Sequence, residues 1–281
     1  MNHENQTLFI HNPLYSNSEK FVDELMELPI FDQNSWKCEA DEIHSHEDQL
    51  SKTQLAVIAG GDGTILRSVN SLVPYEIGIV GINMGRIGFM SELDVSDAKA
   101  RLPNYVNGDF VVQERMMLKA SIVSENSQKV VPDFHVLNEV VVGRSKVTNL
   151  LDINAKVDGV SLPNYRADAL IVSTPTGSTG YGLSAGGPIV YPASEVILLQ
   201  PVAAHTGLKT GLVLPPHSVV DISLSDVENV LVSADGLSTR TLDSYDLVRV
   251  SRSQYIAKFL RSNPDGDFYS SVGNRLGLQT M

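Results

Sequence analysis

The segment Leu55-Ala56-Val57-Ile58-Ala59, followed at once by Gly60-Gly61-Asp62-Gly63-Thr64, narrows the fold more than any other stretch of the chain. An apolar run without alternation marks a strand buried on both faces, the environment of a parallel sheet covered by helices. Beyond the glycines, Ile65, Leu66, Val69 and Leu72 recur at helical spacing. Strand, glycine loop and helix together are the repeating unit of an α/β domain. Thr7 to Ile10 and Ile77 to Ile82 read as two more buried strands, with a helix between them carrying Phe21, Val22, Leu25, Met26 and Leu28. Ser16 and Glu19 have capping-box spacing ahead of that helix.

After about residue 110 the rhythm changes to short β-rich runs. Leu118 to Val123, Phe134 to Val142, Leu150 to Val157, Ala169 to Val172, Val219 to Leu224, Val230 to Ser233 and Leu247 to Val250 follow one another with turn signals between them. Asp158-Gly159 and Asp235-Gly236 are hairpin-turn dipeptides. The expected architecture is therefore an α/β N-terminal domain with a Rossmann-like parallel sheet, over 1–112, and a β-rich domain over 113–261. A last helical stretch, Asp267 to Gly277, suggests that 262–281 packs back on the first domain.

Charge and cysteine content exclude several classes. The chain has 281 residues and a formal net charge of −12, so it lacks the basic face that nucleic acid or an anionic membrane requires. Its single cysteine, Cys38, leaves no disulfide framework and no multi-cysteine metal site. With no secretory signal and no long apolar stretch, a cytoplasmic protein is expected. His44 and His46 sit among acids, and His205 and His217 lie near apolar runs; none suggests a metal site or a Ser-His-Asp arrangement.

The chemistry is concentrated in four segments. The turn Gly60-Gly61-Asp62-Gly63-Thr64 places free backbone N–H groups at a helix N-terminus, where phosphate is favoured. Its glycines let phosphate oxygens approach without a Cβ. Asp62 repels phosphate, and makes sense there as a cation ligand or as a base for an attacking hydroxyl. Arg67, a helical turn on, is within reach of the same phosphates. An ordinary tight turn is the plainer reading. Neither a P-loop nor a strict G-x-G-x-x-G occurs, which disfavours hydride transfer. The second segment, Asn83-Met84-Gly85-Arg86-Ile87-Gly88-Phe89, leaves the next strand end, so both loops face the side where open α/β sheets bind ligands. Phe89 either lies against a base or joins the core. Third, Asn138-Glu139 interrupts an apolar strand and reads either as a grip on ribose hydroxyls or as a solvent-facing pair. Fourth, the stretch Ser173 to Pro188 crowds hydroxyls, glycines and Tyr181 into a segment read as having no regular element, suited to the neutral polar edges of adenine, ribose or a carboxamide.

These residues resemble the NAD kinase family. Gly60 to Thr64 looks like its GGDGT loop, Asn83 to Phe89 like its NTG-x-x-GF segment and Leu137 to Val140 like its NE strand. Asp168 to Pro188 is close to its DG-x-x-x-x-TPTGSTAY-x-x-SAGGP signature, and Arg275-Leu276-Gly277 is similar to its ending. The resemblance implies phosphorylation of the adenosine 2′-hydroxyl of NAD by ATP or polyphosphate, with Mg²⁺ or Mn²⁺, in a cleft between two domains of a homodimer or homotetramer. It implies that Asp62 accepts the proton, with Gly63 and Arg67 beside it and Gly60, Gly61, Gly63 and Thr64 around phosphate. Asn138 and Glu139 would hold the adenosine side. Thr179, Gly180, Tyr181, Gly182, Leu183 and Ser184 would line the dinucleotide site, Phe89 beside it. Arg166, Asp168 and Ala203 would lie near the nicotinamide end. Met84, Ala169, Gly180, Thr210 and Leu237 depart from the family pattern; Asp62 does not. A lipid kinase sharing the GGDGT loop and a non-catalytic NAD-sensing module are the competing readings.

Overall fold

The computed structural model describes residues 6–31, 35–85, 88–124, 132–145, 150–225, 230–242, 246–263, 268–269 and 272–273. Arg86, Ile87, Arg275, Leu276 and Gly277 lie outside them, as does most of the helix expected over 267–277. The chain divides into two compact units: Met1–Glu114 with Ala257–Met281, and Arg115–Ile256.

The first unit is an α/β layer. Strands β1 (Gln6–His11), β2 (Ser35–Glu39), β3 (Thr53–Gly60) and β4 (Gly78–Asn83) pair in the order β2-β1-β3-β4, all parallel. The short β5 (Leu93–Asp94) pairs with the end of β4. Helices α1 (Ser18–Met26), α2 (Glu47–Leu50), α3 (Asp62–Leu72) and α4 (Val95–Val106) complete it. Every residue of β3 from Leu55 to Gly60 is buried, as its unbroken apolar run requires. Helix α1 buries Phe21, Val22 and Leu25 in a cluster with Phe9, Val57 and Val80; each large side chain contributes about 1.5–3 kcal/mol. The start of α1 differs from the capping box expected of Ser16. The helix begins at Ser18, with no side-chain cap at Asn17. Ser18 Oγ instead donates to the Asn12 carbonyl at 2.6 Å and accepts the Asn12 N–H at 3.2 Å, tying the helix to the end of β1.

The second unit is a β-sandwich. Its strands are β6 (Val111–Ser124), which begins in the first unit, β7 (Phe134–Val136), β8 (Glu139–Arg144), β9 (Leu151–Val157), β10 (Val160–Ser161), β11 (Tyr165–Ala167) and β12 (Ala169–Ser173). They continue with β13 (Ile197–Val202), β14 (Leu212–Leu214), β15 (Val220–Leu224), β16 (Val230–Ala234), β17 (Ser238–Thr241) and β18 (Asp246–Arg261). One antiparallel sheet runs β14-β13-β12-β8-β16-β17, and another runs β10-β9-β15-β18. From Ala257 on, β18 belongs to the first unit, where Lys258 and Phe259 pair in parallel with β4. Val140, Val142, Leu170 and Val232 of one sheet share a core with Ile153, Ile222, Val248 and Val250 of the other. Both Asp-Gly dipeptides turn hairpins with positive φ at each residue: 51° and 82° at Asp158-Gly159, 51° and 69° at Asp235-Gly236. That is the backbone of a type I′ turn. Among the described residues no helix is long and apolar enough to cross a membrane.

The run Phe134 to Val142, expected as one strand, is two: β7 ends at Val136 and β8 begins at Glu139. The backbone groups in the gap are taken by side chains. Thr174 Oγ1 donates to the Leu137 carbonyl at 2.5 Å, and the Asp235 carboxylate accepts the N–H groups of Leu137 and Asn138. A ladder cannot continue where its donors and acceptors are already used.

Candidate active site

In the first unit the ends of β3 and β4 carry the glycine loops, and the end of β1 carries Asn12 and Tyr15 beside them. Gly60 closes β3, Gly61 is extended at φ −102°, ψ −177°, and Asp62 opens α3. Thr64 is buried, and its Oγ1 accepts Asn12 Nδ2 at 2.8 Å, which binds the β1 end to this loop. A Cβ on Gly60 would overlap the Thr64 side chain, and one on Gly61 would sit 2.8 Å from the Tyr15 hydroxyl. The second loop is tied to the first by Met84 N–H donating to the Gly60 carbonyl at 3.2 Å. Asn83 Oδ1 accepts Gly85 N–H at 3.1 Å, shaping the bend. Nothing lies within 4 Å of the Cβ position of Gly63, so its face is open space.

The Asp62 carboxylate is held from two sides. Oδ2 accepts Phe89 N–H at 2.7 Å and Oδ1 accepts Met90 N–H at 3.1 Å. The carboxylate lies so close over Gly88 that a side chain there would overlap it. Phe89 is half-buried, between the two environments the sequence left open. Arg67, one helical turn on in α3, is half-buried, and its Nε lies 3.3 Å from Asp41 Oδ1.

In the second unit Asn138 and Glu139 meet the hydroxyl-rich segment. That segment is not irregular throughout: Thr176–Thr179 forms a 3-10 turn and Tyr181–Ser184 a single α turn, α5. Thr174 anchors it, its N–H donating to the Asn138 carbonyl at 2.9 Å and its Oγ1 accepting Gly177 N–H at 3.1 Å. A Cβ on Gly177 would overlap the Asn138 carbonyl; one on Gly180 would lie 3.0 Å from Glu139 Oε2. The Tyr181 backbone N–H donates to the Glu139 carboxylate. Gly180 and Tyr181 thus lie beside Glu139, and the Cβ position of Gly182 is 3.7 Å from Ser173 Oγ; Thr179 and Leu183 are half-buried and Ser184 is exposed.

Several polar atoms here have no protein partner. Asn138 Oδ1, Glu139 Oε2, Ser173 Oγ and Thr176 Oγ1 are buried without a hydrogen bond. Ser173 stands directly opposite Glu139 in the β8–β12 register. Burial, then the nearby Asp235 charge, pushes the Glu139 carboxyl up to about 7, against the pull of the Tyr181 N–H. Burial pushes Asp235 up to about 6 despite three backbone N–H groups that favour its ionised form. Unsatisfied buried polar atoms beside a carboxyl with a raised pKa mark this as a candidate ligand site.

A third cluster gathers Arg166, Asp168 and Ala203. Asp168 N–H donates to Val202 and His205 N–H to the Arg166 carbonyl, so the β11–β12 corner and the end of β13 are hydrogen-bonded together. Ala203 has φ +48°, a conformation unusual for a non-glycine residue. Asp168 pairs with Arg144 at 2.8 Å, and Arg166 Nε lies 3.5 Å from Asp152. Sequence reasoning did not single out Asn12, Tyr15 or the Asp235 carboxylate as site residues. Asn12-Pro13 at a strand end and Asp235-Gly236 are turn signals, and only the fold shows what their side chains hold.

An α/β unit whose glycine loop carries one carboxylate, and a β-sandwich unit with buried unpartnered polar atoms, are matched by a class of phosphotransferases. Comparison with known proteins gives the family. Residues 8–110 match the ATP-NAD kinase N-terminal domain and residues 137–262 the ATP-NAD kinase C-terminal domain. The NAD kinase of Dehalococcoides mccartyi strain CBDB1 is 36% identical over 242 residues, 86% of this chain and 85% of that protein. The NAD kinase of Burkholderia ambifaria strain MC40-6 is 38% identical over 229 residues, 80% of this chain and 74% of that one. Two solved structures share the fold. Yeast NADH kinase complexed with NADH has a TM-score of 0.86 at 23% identity, covering 100% of this chain and 90% of that one. An Archaeoglobus fulgidus NAD kinase in complex with ATP has a TM-score of 0.74 at 24% identity, covering 98% and 100%. The chain belongs to the NAD kinase family, and its activity is that of an NAD kinase. This membership sets aside the lipid kinase and the non-catalytic sensor.

Proposed function

We propose that the chain transfers the terminal phosphoryl group of ATP, or a phosphoryl group of polyphosphate, to the adenosine 2′-hydroxyl of NAD, with Asp62 as proton acceptor. The observation that carries the acceptor assignment is the pair of unpartnered buried oxygens, Asn138 Oδ1 and Glu139 Oε2. Both accept hydrogen bonds, and a ribose edge supplies the 3′-hydroxyl as a donor to them while the 2′-hydroxyl keeps its proton for Asp62. Glu139 would repel a phosphate at the same place, so a ribose edge fits better. The Ser173 and Thr176 hydroxyls add neutral polar contacts, and Thr179 to Ser184 would line the adenine side. Arg166, Asp168 and Ala203, brought together by backbone bonds, would serve the nicotinamide end.

On the donor side, Gly60, Gly61, Gly63 and Thr64 form a strand-to-helix turn with backbone N–H groups at the α3 N-terminus, where phosphate is favoured. Asp62 takes the 2′-hydroxyl proton as the oxygen–phosphorus bond forms and the nucleoside diphosphate leaves. That the Archaeoglobus relative's structure is a complex with ATP supports ATP as donor. Among the described residues no three His, Cys, Asp or Glu side chains gather to hold a metal ion, and Asp62 is the one carboxylate in the loop. That donor set fits Mg²⁺ or Mn²⁺ carried by the donor's phosphates and touched by Asp62. When bound, the cation supplies neutralisation of phosphate charge. The assembly implied is a homodimer or homotetramer in the cytoplasm.

The test is a matrix of donors and acceptors on the purified protein, with the product read as 2′-phosphorylated dinucleotide. NADP formed from ATP, Mg²⁺ and NAD is the expected result. Full turnover in excess EDTA would remove the cation, and phosphate on another hydroxyl would remove the ribose assignment.

A further inference from the structure

Arg261, at the end of β18, is buried to 5% exposure, and so is the Glu92 side chain it faces. Burying an ion pair is close to neutral for stability, so a well-packed apolar pair would serve the fold as well. The guanidinium does what an apolar residue cannot. Nη2 donates to the Met90 carbonyl at 2.9 Å; Nη1 donates to the Ser91 carbonyl at 2.9 Å and to Glu92 Oε2 at 3.0 Å. Glu92 is fixed in turn. Its Oε1 accepts the Tyr105 hydroxyl at 2.7 Å and both the N–H and the hydroxyl of Ser262 at 2.9 Å. Burial raises the Glu92 carboxyl, but the Arg261 charge and the bonds from Ser262 and Tyr105 outweigh it and leave it below the usual carboxylate range. Glu92 N–H donates to the Gly81 carbonyl at 2.8 Å, so residues 90–92 are stapled to β4 as well.

The same peptide segment grips Asp62 from its other side. Met90 offers its carbonyl to Arg261 and its N–H to Asp62 Oδ1; Phe89 N–H goes to Oδ2. We infer that Arg261 is a positioning residue of the phosphoryl transfer: through Met90 and Ser91 it fixes the backbone N–H pair that aims the Asp62 carboxylate. This rests on the assignment of Asp62 as proton acceptor. A lysine would keep the charge opposite Glu92 but lacks the planar fork that reaches two carbonyls and a carboxylate at once.

The experiment is steady-state kinetics and melting of Arg261→Lys on the full chain, with Lys258→Gln as control. The control removes an exposed ion pair to Glu76 on the same strand and is expected to leave kcat unchanged. Misplacement of a reacting group by an ångström costs on the order of 10²-fold, so Arg261→Lys should lower kcat by about 10- to 100-fold with KM for NAD and donor unchanged. Amide hydrogen exchange at Phe89 and Met90 should quicken in the same variant. A folded Arg261→Lys with wild-type kcat overturns the inference, as does an equal loss of kcat in the control. If Arg261→Lys does not fold, Glu92→Gln takes its place: it keeps the guanidinium and loosens its anchor. A fall in kcat at unchanged KM supports the inference, and full kcat overturns it. An active Asp62→Asn would defeat the assignment of Asp62 itself, whereas an inactive Asp62→Asn beside a fully active Arg261→Lys would defeat only the role of Arg261.

Discussion

Asp235 Oδ1 accepts the backbone N–H of Glu139 at 3.0 Å, and the Asp235 N–H donates to the Glu139 carbonyl at 3.0 Å. A type I′ turn residue thus clasps the strand start that presents Glu139. It does so with a second carboxylate close to the first.

That closeness makes stability depend on pH. Glu139 is raised to about 7 and Asp235 to about 6, both above their ordinary values of 4.5 and 3.8. Between the ordinary values and the raised ones the folded protein holds protons the unfolded chain has lost, so stability falls as pH rises from about 4 and levels off above about 7. Glu139→Gln removes the group that ionises last. Its melting temperature should gain on wild type at pH 8 and gain much less at pH 5. An equal difference at both pH values would show that Glu139 is not held in its proton-bearing form.

Glu139→Ala tests the ribose contact. One charge-assisted hydrogen bond is worth roughly 1.5–3 kcal/mol, so kcat/KM for NAD should fall about 10- to 150-fold. The variant should still fold, because it removes a buried charge and leaves Asp235 with its backbone donors. Unchanged kcat/KM would return Glu139 to the scaffold, and a collapsed melting curve would do the same.

Two glycines separate space from function. Gly63 is open on its Cβ side, and Ala in place of a helical Gly contributes about 0.5–1 kcal/mol. Gly63→Ala should therefore melt no lower than wild type while its KM for ATP rises, because the methyl takes phosphate room. A variant with unaltered donor kinetics would show that no phosphate passes there.

Gly88 has the opposite surroundings, since a methyl there would overlap the Asp62 carboxylate. Gly88→Ala should displace Asp62 and lower kcat by about 10²-fold or more. Wild-type kcat in a folded variant would show that the carboxylate's present position is not the working one.

The α/β rhythm and the glycine loops were legible because apolar periodicity and glycine are local signals. The unbroken Leu55–Ala59 run shows its burial in its composition alone. Asn138-Glu139 was legible as an anomaly, polar residues within an apolar run. The break between β7 and β8 was not, since it depends on Thr174 and on Asp235, 97 positions beyond Asn138. Ser16 shows the limit of a local motif: its spacing to Glu19 suits a cap, but Ser18 reaches back to Asn12 and sets the helix start. The Arg261–Glu92 pair, 169 positions apart, left no trace in either neighbourhood.

Asp62→Asn tests the central claim most directly. The amide keeps the shape, but its one oxygen can accept only one of the Phe89 and Met90 N–H groups, and it is no base. Removing a general base typically costs about 10²–10⁴-fold. The measurement is kcat with ATP, Mg²⁺ and NAD, beside the NAD dissociation constant by calorimetry. The account predicts a kcat lower by that factor and an NAD affinity close to wild type. Near-wild-type kcat in Asp62→Asn would contradict it.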